Sequence, residues 1–404
     1  MKVILRAVLL VVPLLLIACS SGTDEAPIEE PSDTAANVVT GAAQQHNRKN
    51  ADGIDTVTFR ITDSTVSLRA TGFPAPSGRV VNVMVTGLDS RLGDPMGHAD
   101  ANHVLRFFLD SGCVEIISIP RDTYFDAGFD DTTNLNKLTN VRANRGRAAY
   151  HAAVCEIAGL SRIDYWVEFG FSQAMGLLEL MGHRDNAQST LRVLRSRQAY
   201  SAGDFQRVYN QGQFIRQTML RVFDQTDNMV GELAMRAALA IVETNMSYDA
   251  CDGLLNALRQ KGFSPEDPSR IWVRMKPAIY SSLKVYSFDA ENVAEIDRQI
   301  SHKISKLGLD SVSVTSASYE NRLSNLIQRA AADSAKSAAS VVRLLKRPYD
   351  QRAWLQVTNI ERRIAYRNRL CTLLASSYRR LKNPNAAQAI ENYIELENKV
   401  NANR

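Results

Sequence analysis

The apolar residues in the first third of the chain are spaced as in β-strands joined by tight turns. Residues 56–61 and 65–70 alternate polar and apolar side chains, which predicts a hairpin. A continuous β-branched run at residues 80–85 is typical of a strand that is buried on both faces. Two more strands are predicted at residues 103–109 and 114–119. The first part of the fold is therefore expected to be a β-sheet.

From about residue 145 the apolar spacing changes to that of α-helices. Ile215, Met219 and Val222, for example, lie on one face of a helix. Helices are predicted at residues 145–160, 172–181, 211–223, 233–244 and 249–261, with strands at 163–169 and 270–275. Strands mixed with helices indicate a layered domain. The predicted fold class is α/β, with a mixed central β-sheet flanked by helices and a C-terminal all-helical region.

The N-terminus has the features of an export signal. Lys2 and Arg6 precede an apolar run at residues 7–17 that is too short to span a bilayer. The run ends in Leu-Ile-Ala before Cys19, which resembles the lipobox of bacterial lipoproteins and implies cleavage before Cys19 and acylation of its thiol. The alternative is an ordinary signal peptide. The expected location is extracytoplasmic, lipid-anchored to a bacterial membrane on its periplasmic face or outer surface.

Composition and charge divide the chain into five expected parts. The expected parts are a signal peptide at 1–18, a flexible tether at 19–54, an α/β domain at 55–280, a connecting segment at 281–318 and a basic helical region at 319–404.

The basic region carries a net charge of +9 between residues 320 and 404, although the whole chain carries only +5. Nucleic acid is not expected as a partner outside the cytoplasm. The region is expected to meet anionic wall polymer, lipid headgroups or a protein partner, and the alternative is a solvated helical surface.

The cysteines exclude a zinc site of the usual spacing. Beside Cys19 the chain has Cys113, Cys155, Cys251 and Cys371, without Cys-x-x-Cys or Cys/His pairs. They are interpreted as buried thiols, with one or two disulfides as the alternative.

Arginines and aspartates recur in short blocks that are far apart in the sequence. Arg121 and Asp122 follow a predicted strand, Arg195 and Arg197 form a second block, and Asp204 and Arg207 form a third. Guanidinium groups bind phosphate oxygens in pairs, and nearby carboxylates orient them or bind a divalent metal. If folding brings the blocks together, they form a phosphate or pyrophosphate site.

These blocks, with others in the same order, resemble the LytR-CpsA-Psr family, whose members attach glycopolymers to the bacterial cell wall. The resemblance covers about residues 81–223. The matching segments are Gly87 to Arg91, Ala99-Asp100, Ile117 to Tyr124, Asn136-Lys137, Ile163 to Val167, Arg195 to Arg197, Gly203-Asp204, Arg207 and Gln211.

The resemblance implies a polyprenyl-linked pyrophosphate substrate, with its tail in an apolar groove and its headgroup among arginines. Catalytic roles fall to Arg121, Asp122, Arg195 and Arg197. Substrate contacts fall to Arg91, His98, Arg121, Lys137, Arg195, Arg197, Asp204, Arg207 and Gln211, and Mg²⁺ ligation falls to Asp89 and Asp100. Asp122 is either a base for the acceptor hydroxyl or an orienting partner of Arg121.

The implied reaction moves a glycan phosphate from a polyprenyl-pyrophosphate carrier to a peptidoglycan sugar hydroxyl, with pyrophosphatase activity as a side reaction. The chain departs from the family pattern at His98, where an arginine is usual, at Gln206, where a glycine is usual, and at Asn210, where an arginine is usual. The alternative is a non-catalytic envelope protein that binds polyprenyl phosphates or anionic glycopolymer.

Overall fold

The computed structural model describes residues 46–49, 55–61, 78–90, 92–93, 97–197, 200, 202–226, 229–278, 281–306 and 316–402. Its strands are β1 His46–Lys49, β2 Asp55–Ile61, β3 Val80–Asp89, β4 His98–Phe108, β5 Cys113–Ile119, β6 Tyr165–Phe169, β7 Glu243–Thr244, β8 Ile271–Met275 and β9 Ser281–Val285. Its α-helices are α1 Leu138–Ala158, α2 Phe171–Leu180, α3 Ala187–Arg195, α4 Gly203–Val222, α5 Met229–Ile241, α6 Tyr248–Gln260, α7 Ala290–Lys306, α8 Ser316–Asp333, α9 Ala338–Asp350, α10 Ile360–Arg380 and α11 Pro384–Ala402.

Six strands form the central sheet, in the order β7-β6-β3-β4-β5-β8. β3 is parallel to β6, β5 is parallel to β8, and β4 is antiparallel to both β3 and β5. β3, β5, β6 and β8 therefore all end at the same side of the sheet, where β4 begins. We call this side the carboxyl edge; it is marked by Asp89, Ile119 and Phe169 at the ends of β3, β5 and β6.

The ladder between β3 and β4 contains a β-bulge at the carboxyl edge. Gly87 pairs with Ala101 and Leu88 pairs with Ala99, so Asp100 is the extra residue on β4. A bulge turns the side chain of its extra residue away from the regular alternation of the strand. Asp100 precedes the strand that the sequence predicts at residues 103–109 and was therefore expected in a loop. It lies instead inside β4 and is fully buried.

Helices cover both faces of the sheet. One face, with Met84, Val104 and Ile117, packs against Val141 and Val154 of α1. The other face belongs to the largest core cluster, together with helices α2 to α6. The predicted α/β class with a mixed, helix-flanked sheet is confirmed.

Most predicted elements are present with altered ends. The helix predicted from residue 145 begins at Leu138, because a first helical segment precedes a kink at Gly146, whose φ is 80°. The helix predicted from residue 211 begins at Gly203. Residues 65–70 of the predicted hairpin lie outside the described residues, and β2 pairs with β1 and β9 in a separate three-stranded sheet.

The segment from residue 281 to 318 was expected to be only a connection. It contains β9 and the 17-residue helix α7. Val293, Ile296 and Ile300 are fully or almost fully buried on α7, so the apolar spacing for a helix was present in the sequence.

The predicted C-terminal helical region is confirmed, and its helices share the main core. Trp354, Leu374 and Ile390 belong to the same buried cluster as Leu177 of α2 and Phe214 of α4. The change of charge near residue 320 is therefore not a division of the core. Among the described residues, no helix combines the length and the apolar character needed to cross a membrane.

The thiols of Cys113, Cys155, Cys251 and Cys371 are free, and Cys155 is the one that is only partly buried. Burial raises the pKa of all four thiols, which favours the uncharged form. The interpretation as buried thiols rather than disulfides agrees with the structure.

Candidate functional site

The first arginine block lies where β5 ends. Pro120 follows β5, and Arg121 Nη1 lies 2.9 Å from Oδ1 of the buried Asp100. The hydroxyl of Thr139, at the start of α1, donates to the same oxygen at 3.4 Å. The bulge of β4 thus holds a carboxylate between the end of β5 and the start of α1.

The third block lies in the first turns of α4. Arg207 donates from Nε to Asp204 Oδ1 at 2.8 Å and from Nη1 to the backbone oxygen of Asp100 at 3.1 Å. Its side chain is almost fully buried. Arg197 Nε lies 3.4 Å from the same Asp204 oxygen. α4 therefore joins the second and third blocks to the bulge.

The charges of these residues act on one another. Burial, followed by repulsion from Arg207 and Arg121, lowers the pKa of Arg197 to about 10. Burial also opposes the charge of Arg121, but attraction by Asp100, with Asp122 and Asp204, outweighs it and raises the pKa of Arg121. Arg121 and Arg207 both bind Asp100, and Arg197 and Arg207 both contact Asp204, so the three guanidinium groups converge.

Arg195 reaches the carboxyl edge by another route. It ends α3, and its guanidinium carbon lies 5.0 Å from the centroid of the Phe171 ring, which follows β6. Gln211 of α4 donates to the backbone oxygen of Leu194 at 3.0 Å and so fixes the end of α3. Phe171 was not predicted as a site residue.

A buried histidine, also not predicted, supports Gln211. His103 on β4 has its Nδ1 2.8 Å from Ser118 Oγ and its Nε2 3.4 Å from Gln211 Oε1. Because the amide oxygen can only accept, Nε2 carries the proton and Nδ1 accepts from the hydroxyl. Burial lowers the pKa of His103 to about 3, so the ring is neutral. The sequence carried no signal for this contact, since it depends on the strand register.

Asp122 and Lys137 lie at the exposed side of the arginine cluster. Asp122 is 3.6 Å from Arg121 Nε and 3.7 Å from Lys137 Nζ. Asp89 is the last residue of β3 and pairs in register with the exposed His98 of β4. Arg91 and Cys19 lie outside the described residues.

Gln206 and Asn210, two positions at which the chain departs from the family pattern, contact each other. Gln206 donates to Asn210 Oδ1 at 2.7 Å, one turn along α4. Gln206 also binds both backbone groups of Lys284 in β9, accepting at 2.8 Å and donating at 2.7 Å. Asn210 is fully buried, so a charged arginine would be costly at that position. Gln206, which also binds Asn210, therefore attaches α4 to the three-stranded sheet.

Few acidic side chains among the described residues are placed where they could bind a metal ion. In the part of the chain that the structure describes, no group of three or more His, Cys, Asp and Glu side chains is placed to hold a metal ion. Asp89 and Asp100 provide two carboxylates on neighbouring strands. That set suits a cation that takes its other ligands from water and from a bound phosphate, as Mg²⁺ does.

The fold and the site together describe an α/β protein with a half-buried arginine cluster suited to a phosphate-bearing anion. Residues 36–182 match the model of the LytR_cpsA_psr family. The match includes the first arginine block, Asp89, Asp100 and Lys137, and it ends before α3, so Arg195, Arg197 and Arg207 lie beyond it.

Several solved structures are similar in outline. Lin1025 from Listeria innocua is 17% identical, covering 56% of this chain and 99% of its own, with a TM-score of 0.37. TagV from B. subtilis is 16% identical, covering 57% and 98%, with a TM-score of 0.38. TagT bound to LI-WTA is 16% identical, covering 57% and 93%, with a TM-score of 0.36. No curated protein sequence matches the chain.

Proposed function

We propose that this chain is an extracytoplasmic transferase of the LytR-CpsA-Psr type. It moves a glycan phosphate from a polyprenyl-pyrophosphate carrier to a sugar hydroxyl of peptidoglycan, and hydrolysis of the pyrophosphate is a side reaction. The family match over residues 36–182 supports the class. The observation that carries the proposal is the convergence of Arg121, Arg197 and Arg207 around Asp100 and Asp204.

The cluster is suited to binding a pyrophosphate. Repulsion among guanidiniums in a half-buried site is unfavourable, and an anion placed between them removes it. The pKa of Arg197, about 10, stays above neutral pH, so Arg197 remains charged. Its planar group can hold two phosphate oxygens at once. Arg121 and Arg207 are held by carboxylates, so little side-chain freedom is lost on binding.

The same residues can support the transfer step. The acceptor hydroxyl oxygen forms a bond to the phosphorus of the glycan phosphate, and the bond from that phosphorus to the polyprenyl phosphate breaks. Phosphoryl transfer depends mainly on positioning and on neutralising charge at the leaving group. Arg121 and Arg197 supply positive charge there. Asp122, beside both Arg121 and Lys137, orients Arg121 and is the candidate acceptor of the hydroxyl proton.

Mg²⁺ is proposed as the metal. Asp89 and Asp100 would hold it together with the pyrophosphate oxygens, because Mg²⁺ is usually bound by one or two carboxylates plus substrate phosphates. When bound, it would neutralise negative charge on the leaving phosphate. One oxygen of Asp100 also contacts Arg121, which links the proposed metal position to the arginine cluster.

The setting of the reaction is also part of the proposal. Acylation at Cys19 would anchor the chain to a bacterial membrane, where a polyprenyl carrier is found. The helices beyond residue 319 remain candidates for contact with a protein partner or an anionic polymer, and nucleic acid is not proposed.

The proposal is tested with a polyprenyl-pyrophosphate-linked glycan, peptidoglycan fragments and the full mature chain. We expect release of polyprenyl phosphate and attachment of the glycan, both dependent on Mg²⁺. Asp89→Asn should raise the Mg²⁺ concentration needed for half-maximal release, whereas Asp249→Asn, an exposed position on α6, should not. Tight glycolipid binding without release at any Mg²⁺ concentration would identify a non-catalytic protein that binds polyprenyl phosphates or anionic glycopolymer.

A further inference from the structure

Residues 350–356, from the last residue of α9 into the connection to α10, contact the carboxyl edge of the sheet; we call this segment the clasp. Gln351 of the clasp is buried and accepts from the backbone N–H of Gly93 at 2.9 Å. Its amide nitrogen lies 3.5 Å from Ser90 Oγ. Ser90 directly follows Asp89, so one side chain from the C-terminal region binds the connection that leaves β3.

The clasp also holds the start of α2. Gln356 donates to Ser172 Oγ at 2.7 Å. Gln173 donates to the backbone oxygen of Asp350 at 3.1 Å while its own oxygen accepts from Gly170 N at 2.7 Å. These residues flank Phe171, whose ring lies beside Arg195. The clasp therefore contacts the residues that follow two neighbouring strands, β3 and β6.

Packing leaves the clasp little freedom. A Cβ atom added at Gly176 of α2 would lie 2.6 Å from Leu355 Cδ1, so the helix and the clasp are in close contact. Trp354 is fully buried. The cavity between the clasp, Ser90 and Phe171 has a volume of about 10 Å³, enough for about one water molecule. The clasp is therefore closely packed against α2 and against the residues that follow β3 and β6.

We propose that the clasp sets the position of Asp89 and of the Phe171 ring, and that Gln351 is a positioning residue for the proposed metal ligand Asp89. This inference rests on the proposed function, because it takes Asp89 as a ligand of the proposed Mg²⁺. The described residues of the clasp lie beyond the segment that matches the family, which ends at residue 182. Through the clasp, the C-terminal helical region therefore contributes to the geometry of the site.

The test compares Gln351→Met, which keeps the side-chain length but removes both hydrogen bonds, with Gln388→Met at an exposed position on α11. Two measurements are made on the full mature chain. Hydrogen exchange follows the amide of Gly93, and calorimetry follows the binding of inorganic pyrophosphate with and without MgCl₂.

Gln351→Met should speed exchange at Gly93 by about tenfold, the equivalent of one lost hydrogen bond. It should weaken pyrophosphate binding in MgCl₂ by about tenfold, as loss of a residue supporting a metal ligand does, and leave binding in metal-free buffer unchanged. Gln351→Glu, which keeps the acceptor for Gly93, should restore both values.

Unchanged exchange at Gly93 would overturn the inference, and so would faster exchange with pyrophosphate affinity in MgCl₂ equal to that of the parent. Equal losses of affinity with and without MgCl₂ would also overturn it, because they would indicate a general loss of structure. Failure of the proposed function is seen separately, as absence of glycolipid turnover by the parent protein.

Discussion

At the scale of single residues, Arg197 is a partly buried cation that lies close to two other arginines. Its pKa is lowered to about 10, first by burial and then by repulsion from Arg207 and Arg121. Arg197→Lys keeps a cation but loses the planar group that binds two oxygens. We expect pyrophosphate binding to weaken by roughly ten- to a hundredfold by calorimetry. Arg329→Lys, exposed on α8, is the control, and equal affinities for the two variants would remove Arg197 from the site.

The burial of His103 predicts how the stability of the protein changes with pH. Its pKa falls from 6.5 in the unfolded chain to about 3 in the folded protein, so between these values only the unfolded chain binds the proton. Acid therefore favours unfolding, by about 1.4 kcal/mol per pH unit below pH 6.5. His103→Gln should lose this part of the pH dependence in denaturant titrations, whereas His302→Gln, exposed on α7, should keep it. Identical slopes for His103→Gln and the parent would contradict the assignment.

The sequence identified the arginine blocks and the nearby carboxylates Asp122 and Asp204, but not the bulge and the buried histidine behind them. Arg121, Arg197 and Arg207 could be predicted because their chemistry is visible in the residue types themselves. The bulge at Asp100 and the contact of His103 with Ser118 depend on the register between strands, which a single sequence does not fix. The residues that hold the arginine cluster in place are therefore harder to predict than the arginines themselves.

At the scale of elements, α4 carries more of the site than any other helix, since Asp204, Arg207 and Gln211 all lie on it. Its distance from the sheet depends on Gly212. A Cβ atom there would lie 2.6 Å from Ser118 Oγ and 2.7 Å from Val273 Cγ1. The sequence predicted only the second half of this helix.

Gly212→Ala should therefore push α4 away from the sheet, cost about 1–3 kcal/mol of stability and weaken pyrophosphate binding. Gly253→Ala on α6 is the matched control, because nothing lies within 4 Å of the added Cβ. It should be neutral or stabilise by up to about 1 kcal/mol, since alanine favours helix. Denaturant titration and calorimetry measure the two effects. A Gly212→Ala protein as stable as the Gly253→Ala protein would show that the sheet adjusts without displacing the helix.

At the scale of the whole molecule, the charge pattern and the core divide the chain differently. The sequence changes from acidic to basic near residue 320, and this suggested a separate helical region. The buried residues beyond that point nevertheless join the core of the α/β part. Surface charge is visible in composition, whereas the partner of an apolar helix face is not, because many apolar faces could cover it equally well.

The core cluster shared by the sheet and the C-terminal helices implies that these parts unfold together, and this can be tested from the C-terminal side. Leu374 on α10 is fully buried, whereas Leu381 at the end of that helix is 45% exposed. Leu374→Ala should destabilise the protein by about 2–5 kcal/mol and Leu381→Ala by much less. Hydrogen exchange should then rise not only in α10 but equally in the slowest amides of β3 to β5, because both parts open together. Faster exchange confined to residues beyond 319 would show that the helices unfold independently of the sheet, and the clasp could then act on the site only while the helices remain folded.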